Sequence, residues 1–206
     1  MRTARTGALA LLWLALALAA RAGAQVIELE TTTLATPSVS QRIQDVAATP
    51  TPDGGVLLLW AEYDLGGAGG HGDHAVARRF SAAASPLGPP VQVDAGGHVF
   101  HPEIGADGLG GYAASWLRII GGDYVFFGQS LSAEGLPAGT EFEVSLNLAG
   151  FPNAPGPVVG TPEGPVFLWD ENGFWARRLD ADRTLRGGDI RVGDAMYSSD
   201  VALLPH

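Results

Sequence analysis

Four of the five histidines fall in two short stretches: His71 and His74 in AEYDLGGAGGHGDHA (61–75), His98 and His101 in AGGHVFH (95–101). Asp73 separates the first pair, and Glu103 follows the second by two residues. Imidazole nitrogens and carboxylate oxygens are ligands for zinc and related ions, which take about four of them near 2 Å. His71, Asp73, His74, His98 and His101 are therefore the candidate metal ligands, provided the fold brings the two stretches together. Their spacing matches no H-E-x-x-H or similar linear motif. The competing reading is a pair of solvated, Gly-rich loops and a chain with no cofactor. The acidic runs Asp170-Glu171-Asn172-Gly173 and Asp180-Ala181-Asp182 carry the oxygen donors that Ca²⁺ uses. Neither completes an EF-hand-type loop, and both read more simply as acidic turns.

No G-x-S-x-G elbow, P-loop or dinucleotide fingerprint is present, so no nucleophile and base can be paired from sequence. If the chain acted as a hydrolase or lyase on an extracellular polymer, its acids would come from Asp64, Asp73, Asp123, Asp170 and Glu171. Composition narrows the partners. The chain has 206 residues, 22 acids against 12 Arg and no Lys, and a formal net charge of −10. Such a balance suits neither nucleic acid, whose phosphates require a positive footprint, nor anionic lipid surfaces. A protein or a carbohydrate is the expected ligand.

The opening residues read as an export signal. Arg2 and Arg5 precede the apolar run GALALLWLALALAA (7–20), and small residues Ala22 and Ala24 mark a cut before Gln25. The run is short for a membrane span, which needs roughly 20 apolar residues. Cleavage would leave 25–206 as one domain, secreted or periplasmic. With no Cys in the chain, its core must hold without disulfides.

The elements that must position these loops recur. Trp60, Trp116 and Trp169 each end a similar run: GGVLLLW, GGYAASW and EGPVFLW. Downstream, an apolar residue opens a second match that a valine closes 13 residues later, at Phe80–Val93, Leu131–Val144 and Leu179–Val192. Short apolar runs bounded by Gly or Pro, and alternating stretches such as VQV, FEV and IRV, predict strands. No helical period of useful length occurs outside the leader. Each repeat reads as four strands, with repeats at about 45–94, 101–146 and 153–194 and a partial one at 195–206. Pro52-Asp53-Gly54-Gly55 and Ala106-Asp107-Gly108 have the residues of tight turns between first and second strands. The stretches VIELETTT (26–33) and Asp200–Pro205 resemble a fourth and a first strand.

The pattern P-x-V-A, D-G-G-x-x-x-x-W, R-x-F/L and a closing valine resembles the propeller-type repeats, about 50 residues long, of secreted bacterial proteins. The resemblance covers roughly 45–205 and implies an all-β, β-propeller-like array of about three four-stranded repeats with partial flanking strands. It brings no catalytic residues, and the S-x-D-x-G-x-x-W box of sialidase-like propellers is missing. Three repeats fall short of the four to eight blades of a closed propeller. The expectation is an exported, non-enzymatic binding or scaffold protein, with its functional loops on one face. The alternatives are a fragment of a larger propeller protein and the polymer-acting enzyme. Open edges would allow a homo-oligomer. Phe100, Phe151 and Tyr197, one before each first strand, are expected to plug the packing between repeats, with sugar stacking as the other use.

Overall fold

A computed structural model of the chain describes residues 41–64, 74–145 and 154–194. The leader, the strand-like stretches 26–33 and 200–205, Phe151 and Tyr197 lie outside the described residues. The twelve strands are β1 (Gln41–Pro50), β2 (Val56–Asp64), β3 (His74–Phe80), β4 (Val91–Gln92), β5 (Val99–Ala106), β6 (Tyr112–Ile120), β7 (Asp123–Leu131), β8 (Phe142–Glu143), β9 (Ala154–Thr161), β10 (Gly164–Asp170), β11 (Phe174–Leu179) and β12 (Leu185–Gly193). They make three antiparallel four-stranded sheets, each a meander of consecutive strands. The described residues contain no helix, and hence none long and apolar enough to cross a membrane. The described sheets do not close into a ring.

Sheet follows sheet through face-to-face packing. The first core joins Leu57, Leu59, Ala75 and Val93 of the first sheet to Ile104, Tyr112, Ala114 and Trp116 of the second. The other core joins Ala113, Leu117, Phe126 and Val144 of the second sheet to Val158, Phe167 and Trp169 of the third. Successive side chains of a strand point to opposite faces. Tyr112, Ala114 and Trp116 of β6 therefore reach one neighbour while Ala113 and Leu117 reach the other. This explains why β6 is apolar almost throughout instead of alternating. The first strands β1, β5 and β9 lie side by side along one edge of the stack. Their approach depends on Gly105, because a Cβ there would collide with the Val158 carbonyl oxygen.

The first two sheets have fourth strands only two residues long, shorter than PPVQVD and EFEVS suggest, whereas β12 has nine residues. The cause lies six residues past the apolar opener. Pro86 and Pro137 make only isolated bridges to Phe80 and Leu131, since proline has no N–H to continue the ladder. Leu185 occupies the matching place, pairs with Leu179 and starts a longer ladder. The preceding turns share one backbone form: Ala84, Gly135 and Arg183 all have positive φ, at 58°, 81° and 66°.

Candidate functional site

The described second-to-third-strand turns, 121–122 and 171–173, and the described connection between the first and second sheets, 93–98, lie at corresponding ends of their sheets. At the joint between first and second sheets, that end is built around charge. Asp94, just past β4, accepts hydrogen bonds from the Ala75 and Gly96 N–H groups at 3.0 and 2.8 Å. Arg118, near the end of β6, lies 3.5 Å from Asp94 and 2.7 Å from Glu141. Glu141 also accepts from the Trp116 indole Nε1 at 3.0 Å. The Arg118 guanidinium stands 4.6 Å from the centre of the Phe127 ring, a cation–π distance. Asp94 and Arg118 are buried. A buried arginine between two carboxylates keeps each charge compensated and locks the register of the two sheets.

The histidines are distributed around this joint. His74 opens β3 with its Nδ1 3.8 Å from Asp94, and its ring lies against Gly96 of the 95–101 connection. His98 stacks on Phe100, with ring centres 6.0 Å apart. His101 turns instead to Asp45 of β1, at 3.5 Å. Asp45 and His101 occupy matching bulges of adjacent first strands and both have left-handed backbone, φ 48° and 47°. Such conformations cost on the order of 1–3 kcal/mol in a residue other than glycine and cluster at functional sites. Thus His74 and His101 face different carboxylates. Among the described residues no three His, Asp or Glu are grouped to hold a metal ion, while His71 and Asp73 lie outside them. Glu103, also on β5, has its carboxyl pushed above the usual range by burial.

Phe100 packs between Tyr63 of the first sheet and Tyr124 of the second, at 6.5 and 6.4 Å. It plugs a joint. Of the candidate acids, Asp123 is exposed and the Asp64 side chain lies outside the description. Asp170 and Glu171 end β10 and begin its tight turn, closed by the Glu171 N–H donating to the Gly173 carbonyl at 2.9 Å.

The corresponding end of the third sheet holds a cavity of about 180 Å³ lined by Trp169, Glu171, Trp175 and Asp189. Trp175 donates from Nε1 to the Glu171 carbonyl at 2.9 Å, which fixes its ring. Asp189 accepts from Ser145 at 3.1 Å and lies 3.6 Å from Arg177. Arg177 is itself held by the Val144 and Gly187 carbonyls at 2.7 and 3.1 Å. Two of the lining residues have a buried atom without a hydrogen-bond partner, the Trp169 indole Nε1 and the Asp189 Oδ1 that faces Arg177. Leaving a buried polar group unpaired costs roughly 1–3 kcal/mol.

Repeat counting explains the cavity. Glu141 stands three residues before Val144, and Asp189 three before Val192. In the second sheet the glutamate reaches Trp116 directly, whereas the aspartate is one methylene shorter and makes no hydrogen bond to Trp169. Arg118, two residues past its tryptophan, is replaced there by Glu171. Glu171 is among the acids that the sequence singles out, whereas Asp189 is not. Counting back from the closing valine would have found it.

No family model matches the chain, and no curated protein matches it. Among solved structures, a glycosyl hydrolase from Bacteroides ovatus is similar at 11% identity and a TM-score of 0.47, covering 74% of this chain and 52% of that one. A second comes from work on the GH130 family of mannoside phosphorylases, described as containing glycoside hydrolases that target β-1,2 mannosidic linkages in Candida mannan. It shows 12% identity and a TM-score of 0.45, with 75% of this chain covered. The chain spans about half the length of each.

Proposed function

We propose that this chain is an exported, non-enzymatic binding module whose three sheets are consecutive blades of a propeller-type stack. Its ligand enters the cavity at the loop end of the third sheet. The observation that carries the reading is the cavity itself, two of whose lining residues have a buried polar atom that makes no hydrogen bond, Trp169 Nε1 and Asp189 Oδ1. The ion pairs at that end, Arg118 with Asp94 and Glu141 and Arg177 with Asp189, serve as frame. The side-by-side first strands support the blade reading, and the leader over 1–24 supports export.

The test uses residues 25–206 and a small-molecule fragment library, read by NMR on the indole N–H signals. Binders are expected to move the Trp169 and Trp175 signals, to be lost on Trp175→Ala, and to remain chemically unchanged after incubation. A library in which no binder moves those two signals would overturn the cavity as the site. Turnover of a chromogenic glycoside by the same protein would overturn the non-enzymatic reading.

A further inference from the structure

We infer that this cavity binds one ring of a neutral, polyhydroxylated ligand, a saccharide, through a hydroxyl that bridges Trp169 Nε1 and Asp189 Oδ1. The inference rests on the reading of the cavity as the ligand site, and it adds the class of ligand. Chemistry eliminates the other classes. Indole Nε1–H only donates and an ionised carboxylate only accepts, so the missing group must do both. A metal ion, an ammonium or a guanidinium has no acceptor to offer Trp169. A phosphate or carboxylate would meet Glu171 and Asp189 on the wall, and the cation beside Asp189, Arg177, is already held by that acid and by the Val144 and Gly187 carbonyls. A hydroxyl satisfies both atoms at once.

Size and shape agree. A single water, with about 30 Å³ of liquid volume, would leave most of the roughly 180 Å³ unfilled. The Trp175 indole, held in place by its bond to the Glu171 carbonyl, lines the cavity and is an aromatic ring of the kind on which the C–H face of a sugar stacks. The second sheet shows what an occupied gap looks like: there the longer Glu141 bonds Trp116 at 3.0 Å with no intervening group. The third sheet keeps the tryptophan and the acid, but neither Trp169 Nε1 nor Asp189 Oδ1 has a hydrogen-bond partner, and one hydroxyl would supply both.

The experiment titrates residues 25–206 with glucose, galactose, mannose and N-acetylglucosamine, read by tryptophan fluorescence and calorimetry, with choline and inorganic phosphate as charged controls. At least one sugar is expected to bind while neither control does. The informative variant is Asp189→Glu, which lets the acid reach Trp169 as Glu141 reaches Trp116. It should keep or raise the melting temperature and weaken sugar binding on the order of tenfold or more, the effect of losing a hydrogen bond to a charged group. Trp169→Phe removes the N–H together with the five-membered ring, and so tests the same bridge should the first variant misfold, with a cooperative melt confirming that it folds. The inference is overturned if no sugar in the panel binds, or if both variants bind as tightly as the parent. Fragments that move the tryptophan signals where sugars do not would leave the binding module standing and remove only the ligand class. Silence from both would remove both.

Discussion

Arg118 compensates charges contributed by two separate segments, Asp94 after β4 and Glu141 before β8. Replacing it by Met would strand two buried carboxylates, and such losses cost about 3–5 kcal/mol. Chemical denaturation should show a drop of that size, and adding Asp94→Asn and Glu141→Gln should recover much of it. A drop below about 1 kcal/mol would mean that the network is solvated and idle. Glu103 makes the opposite prediction. Burial raises its pKa above the ordinary 4.5, so the fold favours the protonated form. Its contribution to stability is present below that value and is lost as pH rises through the raised pKa. Glu103→Gln should therefore melt higher than the parent at pH 7 and lack the decline that the parent shows on leaving acid. Equal melting curves at pH 4 and 7 in the parent would contradict this. At this scale the sequence was legible where a residue broke the repeat, as Trp175 does. It was illegible where the role depended on reach. Neither Arg118 nor Asp189 announces its partner, because the partner lies tens of residues away and a methylene decides contact.

At the scale of the element, the turn after the third strand offers a matched set. Ala84, Gly135 and Arg183 share left-handed backbone, which costs a residue with a Cβ roughly 1–2 kcal/mol. Ala84→Gly removes that strain and loses part of the gain to the freer unfolded chain, leaving a net stabilisation of about 0.5–1 kcal/mol. The reverse change, Gly135→Ala, should destabilise, since its Cβ would also meet Leu57 at 2.7 Å. Thermal melts of the two variants must move in opposite directions for the turn assignment to stand. These strands and turns were readable in advance because period-2 alternation and Gly or Pro boundaries are local properties. The length of the fourth strands was not, although its cause was in plain view: two prolines stand in the first two repeats where a leucine stands in the third.

Across the described residues, the same three valines differ in burial. Val93 and Val144 are 3% and 0% exposed in the joints, while Val192 at the matching place is 59% exposed. Stability in such arrays is the sum of each unit and its nearest-neighbour joints, so protection should grade along the chain. Amide exchange is expected to be slowest in β6 and β7 and fastest in β12, separated by on the order of a hundredfold or more. Uniform protection across all three sheets would show that the unit of cooperativity is the whole stack. The repeat spacing foretold the number of sheets, because equal intervals survive without knowledge of any contact.

The prolines also fix where a foreign strand could attach. Pro86 and Pro137 leave the first two sheets with outermost ladders only two residues long, too short to template anything. Among the described residues, β12 alone presents a nine-residue outermost strand. Its charges at Arg186, Asp189 and Arg191 are the usual deterrent against edge-to-edge association. Among the three fourth strands, accretion therefore has one address, guarded by electrostatics where the other two are guarded by backbone covalency. High salt, which screens charge but leaves proline unchanged, would unlock only that address.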